Sequence, residues 1–188
     1  MALGATLYHL QIDLSDVDRG VYQALDLRVA RHPSETMRFL LARVLAYCLC
    51  YEEGIAFSKG GLSNTEEPAL AIHDLQGNLR TWIEIGTPSA DRLHKASKAA
   101  PRLVVFTHND PEGVKKAARE RSIHRAADIE AYGIAPGLLT ALEALTDRSS
   151  RWVLVHTAGE LYVTVGDETV TGAVTRFGLG DDEAAGGS

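Results

Sequence analysis

The chain has 188 residues, 45% hydrophobic and 23% charged, which suits one packed core and excludes a wholly disordered, collagen-like or disulfide-scaffold protein. Nineteen Lys and Arg stand against 25 Asp and Glu, a net charge of −6. That balance excludes coating of nucleic acid by bulk positive charge and leaves only a local basic surface open.

No basic region followed by a long apolar run opens the sequence, and no run approaches the roughly 20 apolar residues of a membrane span. Cys48 and Cys50, two apart and without further ligands at zinc spacing, are expected to be reduced thiols. The expectation is a cytoplasmic protein with no membrane partner.

In chain order, Leu10, Ile12 and Leu14 alternate with Gln11 and Asp13, as on a strand. Leu25, Leu27 and Val29 alternate with Asp26 and Arg28, and the turn-rich stretch between makes a hairpin the simplest arrangement. Pro33 and Ser34 mark the start of a helix. Its apolar stripe is Met37, Leu40, Leu41, Val44, Leu45 and Cys48, and Gly54 is expected to end it. Residues 58 to 68 read as a loop. Strands are predicted over 69–74 and 79–86, separated by the turn Gln76-Gly77-Asn78. Ser89 caps a helix to about Ala99, which Pro101 ends. The apolar run Leu103 to Phe106 fits a strand buried on both faces.

Residues 111 to 121 have helical propensity, and a short strand can follow within 123–134. Pro136 to Leu145 is a helix. Trp152 to Thr157, Leu161 to Val165 and Thr169 to Phe177 form a β-meander. The fold class is mixed α/β, a central mixed sheet with flanking helices. A single domain is expected over 1–180, with a disordered acidic and Gly-rich tail at 181–188.

The most informative chemistry lies in Trp82-Ile83-Glu84-Ile85. Period-2 alternation puts Glu84 on one face with Trp82, in an apolar strand where a charge is costly unless paired or bound to a metal. Glu66, Glu67 and Asp74 lie upstream, and an adjacent strand can bring one of them to Glu84. Paired carboxylates with waters suit Mg²⁺ or Mn²⁺, which would activate water and stabilise charge on a phosphodiester. The competing reading is a solvent-facing or arginine-paired Glu84.

Glu35 at the first helix can equally serve the helix dipole, and on a helical wheel it points away from the apolar stripe. Lys95 can be a solvated surface residue, with Asp91 as an ion-pair partner one turn earlier. Eight Lys and Arg between Lys95 and Arg125 form a local basic zone that can receive phosphates or simply face solvent. Gly60-Gly61 lacks the spacing and flanking elements of a phosphate-cradling loop.

The runs Ala30-Arg31-His32-Pro33-Ser34-Glu35-Thr36, Ser58-Lys59-Gly60-Gly61-Leu62-Ser63, Glu67-Pro68, Trp82-Ile83-Glu84-Ile85-Gly86 and Asp91-Arg92-Leu93-His94-Lys95-Ala96 resemble the bacterial YaeQ proteins. The resemblance implies a fold similar to the PD-(D/E)XK nucleases: a restriction-endonuclease-like core with an added β-hairpin and meander. It implies a rearranged metal site and no settled activity. On that basis Glu84 looks like the acidic residue of the motif strand, and Glu67 or Asp74 would replace the Asp absent at Ala69. With Gly86 where a standard motif has Lys, the lysine role would pass to Lys95, with Lys98 as the alternative.

The resulting candidate site is Glu35, Glu67, Glu84 and Lys95 for catalysis, with Mg²⁺ or Mn²⁺ on Glu67 and Glu84. Arg31, His32, Arg92 and Lys98 would bind substrate. Two functions follow: a metal-dependent nuclease or phosphodiesterase, or a non-catalytic module that binds nucleic acid or a protein partner.

Overall fold

A computed structural model of the chain describes residues 4–59 and 64–180. The expected tail at 181–188 and the Gly60-Gly61-Leu62-Ser63 part of the loop run lie outside the described residues.

β1 (Thr6–Asp16) and β2 (Val21–Arg31) form the hairpin, antiparallel in the register Thr6 opposite Arg31 to Asp16 opposite Val21. Their alternation is realised: Leu10, Ile12, Leu14, Leu25, Leu27 and Val29 are buried while the polar residues between them face out. After α1 (Met37–Leu49) come β3 (Ile55–Phe57), β4 (Leu70–His73), β5 (Leu79–Ile85) and α2 (Ala90–Ala99). β6 (Arg102–Thr107), α3 (Pro111–Arg119), β7 (Glu130–Ile134) and α4 (Pro136–Leu145) follow. The meander β8 (Ser149–Thr157), β9 (Glu160–Val165) and β10 (Glu168–Phe177) closes the chain.

The described strands make one ten-stranded sheet, ordered β2-β1-β8-β9-β10-β7-β6-β5-β4-β3. It is mixed, as expected: β1 runs parallel to β8, and β5, β6 and β7 run parallel to one another, while the other pairs are antiparallel. The β1–β8 pairing joins the N-terminal hairpin to the C-terminal meander.

Two apolar layers cover the sheet. Leu40, Leu41 and Leu45 of α1 and Leu138, Leu139 and Leu142 of α4 pack with Ile83, Ile85, Val104 and Phe106. Leu93 of α2 and Val114 of α3 pack with Trp82, Leu103 and Val105. Successive residues of β5 and β6 therefore feed opposite layers, which is why the run from Leu103 to Phe106 is apolar throughout.

The starts of α1, α2 and α3 follow from side-chain caps. Ser89 Oγ accepts from the Arg92 amide at 3.2 Å, and Asp110 Oδ1 from the Glu112 amide at 3.0 Å. α1 corrects the sequence reading at both ends. Its cap is Thr36, whose Oγ1 accepts from the Phe39 amide at 3.2 Å, so Pro33, Ser34 and Glu35 lie in a turn before the helix. It ends at Leu49 with Cys50 as C-cap rather than running to Gly54. Gly54 instead sits at φ +92° in the turn to β3, where a Cβ would lie 2.1 Å from the His73 carbonyl oxygen. Nearly the whole circumference of α1 is buried, wider than the stripe its periodicity predicts.

Candidate functional site

Glu84 is buried on β5 beside Trp82, on the face their alternation assigns. Trp82 Nε1 donates to Glu84 Oε1 at 2.5 Å, and Arg92 of α2 reaches the same oxygen from Nε at 2.9 Å and Nη2 at 2.8 Å. The Arg92 guanidinium also stacks over the Trp82 ring, 5.4 Å from its centroid. The same guanidinium donates to the carbonyl oxygens of Thr65 and Glu67, the latter at 2.6 Å. One arginine thus straps the 64–67 segment to the buried carboxylate. Its place follows from the Ser89 cap, which starts α2 three residues earlier.

Glu84, Glu67, Arg92 and Arg43 line one cavity of about 210 Å³, with Phe39 and Ser58. Glu67 is exposed, and its Oε2 accepts from Ser58 Oγ at 2.7 Å. Asp74 is elsewhere: its carboxylate accepts from Gln76 and Asn78 and builds the β4–β5 turn. Those bonds from the Asn78 amide and side chain hold the Asp74 carboxyl below its ordinary range. Of the three upstream acids, Glu67 is the one brought to the Glu84 cavity.

Glu35 is buried, contrary to the wheel argument, because it precedes α1 and the wheel does not apply to it. Arg43 Nε bonds Glu35 Oε1 at 2.7 Å and Nη2 bonds Oε2 at 2.9 Å, and the His32 amide donates to Oε2 at 3.1 Å. Arg31 Nε donates to the Glu35 carbonyl oxygen, and the His32 ring bonds Ser34 Oγ at 2.7 Å. Arg31, His32 and Glu35 are thus bound up in the 31–36 turn, and among the described residues none of them lines the cavity; Arg43 is the side chain that links this turn to it. An i, i+8 Glu–Arg spacing was the one sequence signal for that pair.

Lys95 pairs with Glu66, not with Asp91, and its ammonium holds the Glu66 carboxyl below the usual carboxylate range. Asp91 pairs instead with Arg121 at 2.5 Å. Lys98 is exposed on the last turn of α2. Within the basic zone, Arg102 is bidentate with Glu130, Lys115 pairs with Glu112, and Arg125 donates to the carbonyls of Ser97, Ala100 and Pro101 at the end of α2. Much of the charge that a phosphate would use is already engaged.

Gly86 ends β5 at φ +92°, a conformation side chains rarely adopt.

Glu67 and Glu84 line the same cavity, and each is already engaged, Glu67 by Ser58 and Glu84 by Trp82 and Arg92. They do not make an all-protein cage. Among the described residues no three His, Cys, Asp or Glu side chains group to hold a metal.

No helix among the described residues is long and apolar enough to cross a membrane. Residues 1–174 match the family model described as YaeQ protein. A YaeQ protein of Escherichia coli (strain K12), described as uncharacterized, is 36% identical over 109 residues, 58% of this chain and 60% of that protein. The match therefore spans about three fifths of that relative's length. One of Salmonella typhi is 29% identical over 150 residues, 79% of this chain and 82% of that protein. The crystal structure of YaeQ protein from Xanthomonas axonopodis pv. citri superposes with a TM-score of 0.83 at 30% identity, covering 92% of this chain and 97% of that one. That from Pseudomonas syringae gives 0.82 at 29%, covering 92% and 95%.

Proposed function

The chain belongs to the YaeQ family, and we propose that its Glu67–Glu84 cavity is a site for metal-assisted cleavage of phosphodiesters in nucleic acid. The observation that carries this reading is that Glu67, Glu84, Arg92 and Arg43 line one cavity. Glu67 and Glu84 would hold Mg²⁺ or Mn²⁺, which when bound supplies an activated water and neutralises phosphoryl charge.

The chain's own groups do the rest. Arg92 and Lys95 each hold acceptors on the 64–67 segment, so a phosphate that draws them away opens the cavity mouth. Both then stabilise transferred charge. Glu35 is a positioning residue: it fixes the Arg43 guanidinium at the cavity wall. Arg31 and His32 hold Glu35, and Lys98, exposed on the last turn of α2, would contact substrate beyond the cavity.

The test is cleavage of labelled single- and double-stranded DNA and RNA with Mg²⁺ and with Mn²⁺, wild type beside Glu84→Gln. Metal-dependent cutting lost in the variant is the expected result. Equal cutting by both proteins overturns the assignment of Glu84.

A second reading has its own support. Ala69 and Gly86 stand where the motif would carry acid and base, and Arg92 already sits on Glu84. On that reading the site binds nucleic acid or a protein partner without catalysis. No cutting, together with saturable nucleic-acid binding weakened by Lys98→Glu, selects it.

A further inference from the structure

The two edges of the ten-stranded sheet are finished differently. β3, at one edge, has three residues and offers little backbone to pair. β2, at the other, runs for 11 residues in unbroken register with β1 and contains no proline. None of the usual devices that blunt an edge, a short strand, a bulge or a proline, is present in it.

The direction of its main chain follows from β1. The His9 amide donates to the Arg148 carbonyl at 2.7 Å and the Val17 amide to that of His156 at 2.8 Å, so odd-numbered residues of β1 turn toward β8. Even-numbered ones bond β2, in pairs such as Leu10 with Leu27 and Ile12 with Leu25. The main chains of Tyr22, Ala24, Asp26, Arg28 and Ala30 therefore point off the edge. Consistent with this, the Ala30 carbonyl accepts from Arg43 Nη2 at 2.9 Å, which leaves it a second lone pair. Among the described residues no group bonds the main chains of Tyr22, Ala24, Asp26 and Arg28.

The side chains of these residues are exposed, while Leu25, Leu27 and Val29 pack inward. Ala24 and Ala30 are small. Asp26 and Arg28 carry opposite charges on the same face, and His9 Nε2 holds Asp26 there at 2.6 Å.

We propose that β2 is an interface with a second copy of this chain, the two β2 strands pairing antiparallel about a twofold axis at Leu27. Asp26 then faces Arg28 of the partner subunit and Arg28 faces Asp26 of the partner subunit, with Ala24 opposite Ala30 at each end. Tyr22, 63% exposed, reaches Ala30 of the partner subunit on the diagonal. Charge selects this register. A slip of two residues sets Asp26 against Asp26 or Arg28 against Arg28, and a slip of one mismatches the outward main-chain groups. The interface does not involve the Glu84 cavity and does not rest on its proposed function.

The test is light scattering of the full chain across a dilution series, with amide hydrogen exchange at both ends of the series. A dimer is expected, with concentration-dependent protection at Ala24, Asp26, Arg28 and Ala30. Arg28→Asp and Asp26→Arg should each weaken it about tenfold, since like charges then oppose at two places. The double exchange, Asp26→Arg with Arg28→Asp, should restore it. Both positions are exposed, so the variants should fold, which circular dichroism checks. A monomer at every concentration, protection that leaves these four amides unchanged, or a dimer indifferent to both single variants overturns the proposal.

Discussion

Two glutamates in this protein are buried against arginines, and they differ in how completely they are satisfied. In the Glu35–Arg43 pair the side chains are 1% and 6% exposed, both carboxylate oxygens are bonded by the guanidinium, and the His32 amide adds a third donor. In the Glu84–Arg92 pair they are 7% and 22% exposed, and among the described residues every bond converges on Oε1. The first pair is closed and acts as a structural joint between the 31–36 turn and α1. The second borders a cavity, and on the proposed reading a metal ion would replace its arginine. Burial alone does not separate the two; the bonding of both oxygens in one pair and of a single oxygen beside a cavity in the other does.

Breaking the closed pair should have the largest effect on stability. Arg43→Ala leaves Glu35 buried and unpaired, at an expected cost of about 3–5 kcal/mol in denaturant unfolding. The double replacement Glu35→Met with Arg43→Leu should recover most of that loss, because it removes both charges. If the single and double variants are equally unstable, the joint is a packing feature rather than an electrostatic one.

Breaking the open pair should cost less stability and more function. Glu84→Gln should lose about 1–2 kcal/mol, discounted because Arg92 remains partly hydrated, and metal-dependent cleavage by about a hundredfold or more. Arg92→Met sharpens the contrast. With one competitor for Oε1 removed, Mn²⁺ should bind more tightly than to wild type in a titration followed by electron paramagnetic resonance. Weaker binding would make Arg92 part of the cation site instead.

A third pair, Arg102–Glu130, is the most exposed of the three, 40% and 23%. The hydrogen bonds from Arg102 hold the Glu130 carboxyl below its ordinary 4.5. The unfolded chain therefore takes up this proton first as pH falls. The pair's contribution is complete above about pH 4.5 and is lost as pH drops through the folded value. Its size should stay below about 1 kcal/mol, since Arg102 is well exposed. Unfolding curves of wild type and Arg102→Leu should converge in that acid window. A constant gap down to low pH would assign the difference to packing.

Local periodicity carried much of the fold. The hairpin, the Ser89 cap, the two-sided strand β6 and the meander were all legible, because each follows from residues within a few positions of one another. Glu84 beside Trp82 was legible for the same reason. The Glu35 environment was not, because the wheel was applied to a residue that the Thr36 cap leaves outside the helix. β3 has three residues, too few to show a period. The parallel β1–β8 pairing and the links from Arg92 and Lys95 to residues 65–67 join distant segments that no local pattern records.

The most direct test of the distinction between the two glutamates is Mn²⁺ binding by electron paramagnetic resonance to wild type, Glu84→Gln and Glu35→Gln, each folded and at one protein concentration. The account predicts bound Mn²⁺ for wild type and Glu35→Gln, and its loss in Glu84→Gln. Retention in Glu84→Gln, or loss in a folded Glu35→Gln alone, would contradict it.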